Sequence, residues 1–182
     1  LAGHRSYFYN PETSDKDGSL QQYQYNGQKL SFDGYFTDEL ASKAQQFIAG
    51  SDQPFMLYMS FTAPHSPNEG TKEDLARFEG QPRQKYAAMM YALDRGVGKI
   101  VDELKATGKF DNTIIFFLSD NGGSTTNQSS NLPLKGFKGN KFEGGQRVPF
   151  FIVWGDRFKR DQRFAGLTSA LDIFATVTDA LG

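Results

Sequence analysis

The sequence predicts an α/β fold with a mixed, mostly parallel sheet and helices on both faces. Three observations point there. Apolar runs of strand length occur at residues 55–61, 113–118 and 148–154. Amphipathic helical patterns alternate with them at 37–49, 84–107 and 169–181. The first two runs stop abruptly at polar loops, Thr62-Ala63-Pro64-His65-Ser66-Pro67 and Ser119-Asp120-Asn121-Gly122-Gly123, as strand ends in an open sheet do.

Each element has its own warrant. Residues 10–19 are polar and rich in turn formers. Asn26-Gly27 between the short segments 21–25 and 28–32 signals a tight hairpin. Thr37 is the expected N-cap of the next helix, with Asp38 and Glu39 in its first turn and Leu40, Ala44, Phe47 and Ile48 on one face before Gly50. The run after Pro54 is too short for a helix and apolar almost throughout, which fits a strand covered on both faces. Between 84 and 107, Tyr86, Met90, Leu93, Val97, Ile100 and Leu104 recur at spacings of three and four, and Gly108 follows as a C-terminal glycine. The strand at 113–118 precedes a polar loop; a segment rich in glycine and lysine at 134–147 leads into the strand at 148–154. The last helix places Leu171, Phe174, Thr178 and Leu181 on one face. No internal repeat or linker interrupts this order, so residues 1–33 are expected to form a loop and hairpin on the substrate side and 34–182 the α/β core.

Composition limits the function. With 182 residues, 38% of them apolar, the chain can build one core. The formal net charge is -1, with both signs interleaved, so no basic stripe supplies the counterion release that drives nucleic-acid binding. No apolar run approaches the length of a membrane span. The absence of cysteine excludes thiolate metal sites and a cysteine nucleophile within these residues. The chain opens at Leu1, without methionine, and stops at Ala180-Leu181-Gly182, as an excised piece of a longer protein would.

The chemistry is expected in the loops. Asp120 and Asn121 offer a carboxylate beside an amide carbonyl, two oxygen donors suited to a hard cation; the competing reading is a simple Asp-Asn-Gly-Gly turn. An unpaired charge is costly where an apolar strand ends, which favours the ligand role. His65, between two prolines, can donate a hydrogen bond to an anion or protonate a leaving group, or it can pack locally as a loop histidine. Lys138, in Gly136-Phe137-Lys138-Gly139, can hold an oxyanion or stand as a solvated surface lysine, as Lys135 and Lys141 are expected to. Glu143-Gly144-Gly145 with Arg147 reads best as a structural turn. His4 and Arg5 are candidates for substrate contact, against a surface terminus. Tyr7 to Tyr9 and Tyr23 to Tyr25 can stack on a sugar, although packing around the hairpin explains them more simply.

Taken together in order and spacing, these segments resemble the catalytic domain of sulfatases in the alkaline phosphatase superfamily. The resemblance runs from about Gly34 to Gly182. It begins at Tyr35-Phe36-Thr37-Asp38-Glu39-Leu40 and passes through Ala63-Pro64-His65-Ser66-Pro67 and Leu93-Asp94-Arg95-Gly96-Val97-Gly98. Its most specific parts are Ser119-Asp120-Asn121-Gly122-Gly123, Lys138 with Phe142-Glu143-Gly144-Gly145, and Arg147-Val148-Pro149-Phe150.

The resemblance implies a sulfuric ester hydrolase with a calcium ion, for which Asp120 and Asn121 would be half the shell, and with His65 and Lys138 on the sulfate. It also implies a formylglycine nucleophile made in a Cys/Ser-x-Pro-x-Arg segment, which is absent here. The first-strand aspartate pair and a Lys-x-His segment are absent too, and Ala175 stands where the family usually has proline. The chain alone is therefore expected to bind calcium weakly, to hydrolyse nothing, and to need the missing N-terminal half of the domain. Substrates of the complete parent would be sulfated small molecules or glycans, and family habit places such a parent in the periplasm, outside the cell or in the lysosome. Two other readings stand beside it. A phosphodiesterase or phosphatase of the same superfamily is one, weakened because His4 and His65 are the only histidines for a two-zinc site. A non-catalytic scaffold or binding domain is the other.

Overall fold

The computed structural model describes residues 5–15, 22–155, 157–158 and 161–182. It opens with a short helix α1, Pro11–Ser14, whose first turn is capped by the Asn10 side chain accepting from the Glu12 amide at 2.9 Å. The predicted hairpin follows as β1, Gln24–Tyr25, and β2, Gln28–Lys29, paired antiparallel. Asn26 and Gly27 both take positive φ, 49° and 78°, the geometry that a two-residue hairpin turn requires. Gln21, at the predicted start of the hairpin, lies outside the described residues.

Helix α2, Phe36–Ala49, starts after Tyr35 rather than after Thr37. Tyr35 is held in an extended conformation by its bridge to Phe8, so the chain turns helical immediately beyond it and Thr37 falls inside the first turn. The buried stripe of α2 is Thr37, Ala41, Ala44 and Ile48. Phe47 flanks it, 44% exposed, with its ring centroid 5.3 Å from that of Phe55. A short helix α3, Lys72–Ala76, is capped by Thr71.

Helix α4, Gln84–Ala106, carries the periodicity expected of it, but its deepest positions include small residues. Ala88, Met89, Ala92, Leu93, Gly96 and Leu104 are buried, whereas Met90 is exposed. A side chain at Gly96 would press on the Phe61 ring and Ala41, so this face lets α2 and α4 approach closely. The helix ends as predicted: Gly108 has φ 69°, its amide donates to Lys105, and the Lys109 amide reaches back to Leu104 at 2.8 Å.

An ionic node joins the three helices. The Arg95 guanidinium of α4 donates two bonds to Asp38 of α2, at 3.1 and 2.7 Å, and two to Asp74 of α3, at 2.7 and 2.9 Å. Lys99 adds a third cation contact to Asp38 at 3.0 Å. Asp74 is only 2% exposed, so its charge depends on the fork of donors that an arginine alone presents. Burial pushes the Asp38 carboxyl up, but hydrogen bonds from Arg95 and Lys99 outweigh it and hold the group below its ordinary value.

The class is α/β, and its sheet differs from the expected one. β3, Ile115–Leu118, and β4, Phe150–Val153, pair antiparallel with Leu118 opposite Phe150. Residues 55–61 are extended, alternately half-buried and exposed, yet form no ladder among the described residues. Phe55 and Phe61 turn toward α2 and α4, while Met56 and Tyr58 are 88% and 80% exposed. A parallel ladder needs a strand alongside to pair the backbone, and none is present there among the described residues. Helix α6, Asp172–Leu181, buries no residue and leaves Leu171, Phe174 and Leu181 exposed. No helix among the described residues is long and apolar enough to cross a membrane.

Replacing Arg95 with methionine keeps the stem but leaves the Asp74 charge buried without its partner. The expected loss of stability is about 3 kcal/mol, measured by urea unfolding against the parent protein, with a smaller loss for Lys99→Met at the exposed side of the node.

Candidate active site at the loop cluster

Three loops that are remote in sequence are stitched together by hydrogen bonds between backbone and amide side chains. The loop after β3 contributes Asp120 and Asn121, where the Ser119 hydroxyl donates to the Asn121 carbonyl at 2.8 Å. The Gly122 amide then donates to the Gly145 carbonyl at 3.0 Å, beside the short helix α5, Glu143–Gln146. A Cβ on Gly122 would overlap the Gly144 carbonyl, and one on Gly144 would overlap Gly136 and Lys135. The two Gly-Gly pairs are therefore where one backbone lies directly on another, and Glu143-Gly144-Gly145 is the structural turn expected of it.

The loop bearing Lys138 joins the same point. The Lys138 amide donates to the Gly123 carbonyl at 3.1 Å. Asn131 braces it from the side: its Oδ1 accepts the Gly123 amide at 2.7 Å, and its Nδ2 donates to the carbonyls of Gly123 and Gly136 at 2.9 and 3.1 Å. A single side chain thus pairs both backbone groups of Gly123 as a neighbouring strand would.

The His65 loop docks through a second asparagine. Asn127, 7% exposed, donates from Nδ2 to the Pro64 carbonyl at 2.9 Å, and its own carbonyl accepts Asn68 Nδ2 at 3.2 Å. His65 itself is half-buried, with Nδ1–H donating to the Ser66 carbonyl at 2.8 Å. From the other side the Tyr7 hydroxyl donates to the His65 carbonyl at 3.0 Å.

The loops of His65, Asp120, Asn121 and Lys138 thus share one bonded cluster. Asp120 and Lys138 are exposed, and neither side chain has a hydrogen bond or ion pair among the described residues. His4 lies outside the described residues. Arg5 stacks on the Tyr23 ring, 5.6 Å from its centroid. Among the described residues no group of three or more His, Cys, Asp or Glu side chains is disposed to hold a metal ion. Asp120 and Asn121 supply two adjacent hard oxygen donors, a fit to part of a calcium shell.

Behind the His65 loop stands an aromatic wall. Tyr7 and Tyr35 stack at 5.3 Å, and Tyr23 packs against Phe32 and Phe36 at 4.9 and 4.7 Å. This is the packing expected for Tyr7 and Tyr23, whereas Tyr25 is 55% exposed, and it occupies the hydroxyls of Tyr7, Tyr23 and Tyr35. Tyr7 donates to His65, Tyr35 donates to the Glu69 carbonyl at 2.9 Å, and Tyr23 donates to the Ser6 carbonyl. The Glu69 carboxylate accepts the Tyr7 amide at 2.6 Å and the Ser6 hydroxyl at 2.9 Å. Burial pushes the Tyr7 and Tyr23 phenols up to about 12, and Tyr35 higher still.

Residues 2–182 match the family model described as Sulfatase. The chain belongs to the sulfatase family. It is 35% identical over 166 residues to the uncharacterized sulfatase YdeN of Escherichia coli K12, an alignment covering 85% of this chain and 29% of that protein. It is 31% identical over 173 residues to human steryl-sulfatase, covering 90% and 29%. The crystal structure of Ps i-CgsB in complex with k-i-k-neocarrahexaose superposes with a TM-score of 0.90 at 36% identity, over 98% of this chain and 44% of that one. The chain therefore has the α/β fold of the sulfatases and spans less than half the length of these relatives.

The asparagine braces and Glu69 escaped the sequence reading. Asn127 and Asn131 stand in a run of serine, threonine and asparagine that reads as an ordinary loop, and nothing local marks a side chain that will bond 63 residues away. Residues 124–131 spend both of their asparagines on bracing.

The tyrosine wall yields a pH signature. Its phenols must stay protonated to donate, and their folded values lie above the ordinary 10.0. Their contribution to stability is complete below pH 10 and is lost as pH rises through about 12. Thermal melts between pH 9 and 12 are expected to show this alkaline loss, and Tyr7→Phe to reduce it.

Proposed function

We propose that the protein carrying this chain hydrolyses sulfate esters, and that His65, Lys138, Asp120 and Asn121 are this chain's part of the machinery. The bond from the Lys138 amide to the Gly123 carbonyl supports the reading most, because it ties a lysine loop to the loop of a carboxylate and amide oxygen pair. Lys138 holds a sulfate oxygen as a point charge, and Arg5 and His4 lend further cationic contact to the substrate. His65, oriented by Nδ1–H on the Ser66 carbonyl, uses Nε2 to pass a proton to the departing alcohol oxygen. Asp120 and Asn121 would hold a calcium ion, which supplies charge stabilisation for the sulfate oxygens when bound. The nucleophile, a formylglycine by family resemblance, is not on this chain, since no Cys/Ser-x-Pro-x-Arg occurs in it.

The substrate class we favour is a sulfated glycan, supported by the oligosaccharide named in the Ps i-CgsB complex. A periplasmic, secreted or lysosomal location fits that class.

The test is turnover of 4-nitrophenyl sulfate and of sulfated oligosaccharides by the full-length protein. His65→Ala and Lys138→Ala are expected to lower kcat by about a hundredfold or more. Asp120→Ala should abolish the rise in melting temperature on adding calcium, and chelation should lower that temperature in the parent. Unchanged kcat in both of the first two variants would refute the assignment.

The remainder of the domain is the proposed partner of the uncovered face. Met56 and Tyr58 on the unpaired run at 55–61 are 88% and 80% exposed, Phe151 on β4 is 59% exposed, and Leu171, just before α6, and Phe174 within it are 86% and 77% exposed. That much open apolar surface calls for a cover. The 182-residue chain by itself is expected to bind a hydrophobic dye and melt over a broad range, whereas the full-length protein should do neither; a sharp, dye-free melt of the isolated chain would count against the partner.

A further inference from the structure

Beside the His65 loop the structure holds an open cleft of about 770 Å³. One wall is Ser66, Pro67, Asn68 and Glu69, which follow His65 directly. The facing wall is Arg83, Gln84 and Lys85 at the start of α4, closed by Thr126 and Gln128. The volume lies in the range that buries a ligand of several rings.

Its chemistry is specific. Arg83 and Lys85 form no ion pair among the described residues, and the Arg83 guanidinium donates only a long 3.3 Å bond to the Gln128 carbonyl. Glu69 is the one carboxylate in the lining, and its Oε2 accepts from the Ser6 hydroxyl and the Tyr7 amide rather than from either cation. The cleft therefore carries two cations against one carboxylate, with neither cation ion-paired and Arg83 lying over the Tyr86 ring, 5.9 Å from its centroid. Apart from Pro67, its remaining side chains are amides and hydroxyls, the groups that pair with sugar hydroxyls. Asn68 Oδ1 is buried without a hydrogen-bond partner among the described residues, an acceptor that a ligand hydroxyl would satisfy.

We propose that this cleft is a sugar subsite next to the scissile sulfate ester, and that Arg83 and Lys85 bind an anionic group, sulfate or carboxylate, on the neighbouring sugar. The inference rests on the sulfate-ester reading of the His65 loop and deepens it: the protein selects a polyanionic chain over an isolated sulfate ester. A guanidinium fork and an ammonium within three residues suit a tetrahedral or planar oxyanion. Neutral neighbouring sugars would leave both cations unpaired and bind more weakly.

The experiment uses the full-length protein with four probes: a galactan tetrasaccharide sulfated on the scissile and the neighbouring sugar, the same compound lacking the neighbouring sulfate, a counterpart with a uronate neighbour, and 4-nitrophenyl sulfate. Arg83→Gln and Lys85→Glu are each expected to lower the ratio of kcat/KM for the disulfated compound to that for the aryl sulfate by about tenfold, chiefly through KM. Arg83→Lys should retain most of the ratio. The relative losses with the sulfated and uronate compounds identify which anion the cleft takes. Calorimetric titration of the tetrasaccharides into His65→Ala protein, with and without Lys85→Glu, reads the subsite without turnover. If the parent hydrolyses no sulfate ester but binding still depends on Lys85, the hydrolase reading falls and the subsite stands. If neither the ratio nor the binding changes on substituting Arg83 and Lys85, the subsite is overturned.

Discussion

The site depends on two backbones crossing with nothing between them. Gly122 lies so close to the Gly144 carbonyl that no side chain fits there, the Gly136 and Lys135 carbonyls exclude one at Gly144, and the Gly122 amide donates to the Gly145 carbonyl. That contact joins the loop after β3 to the turn before β4. Once it is made, Gly123 is left to bond Lys138 and Asn131, and the lysine loop has a fixed base. A chain held by its own amides in this way is rigid without a large apolar core beneath it, which suits a polar site at the edge of a sheet.

A different physics holds the platform below. Small residues on α4 let α2 come close, and the Arg95 fork pins α2 and α3 to the same face through two carboxylates, one of them fully buried. The aromatic wall of Tyr7, Tyr23 and Tyr35 continues that platform toward the His65 loop. Each buried phenol there spends its hydroxyl on a backbone carbonyl, one of them that of His65 itself. The backbone of the histidine loop is therefore gripped from both sides, by Tyr7 and by Asn127, beside the open cleft.

The uncovered apolar surface belongs to the same picture. Residues 55–61 turn one face to α2 and α4 and offer the other, with Met56 and Tyr58, to solvent. Strand periodicity explains both facts at once, since alternate side chains leave opposite faces of an extended chain. The chain spans 29% of the length of YdeN and of human steryl-sulfatase.

Much of this was legible before any coordinates. Asn26-Gly27 specified its turn because only residues tolerant of positive φ close a two-residue hairpin. The long pattern from Tyr86 to Leu104 specified α4, and Gly108 its end. The segments around His65, Asp120 and Lys138 specified the family by their order and spacing. Other features were decided in three dimensions. Thr37 does not cap α2, because Tyr35 is drawn into a bridge with Phe8. The buried residues of α4 include Ala88, Ala92 and Gly96, because a neighbouring helix rewards small side chains that periodicity ignores. The antiparallel pairing of β3 with β4 and the unpaired run at 55–61 depend on which strands lie alongside. Local backbone preference and motif spacing are written in the chain itself. By contrast, the choice of Asn127, Asn131 and Glu69 as braces arises only where distant segments meet, since a polar side chain acquires its role from the partner that folding brings within reach.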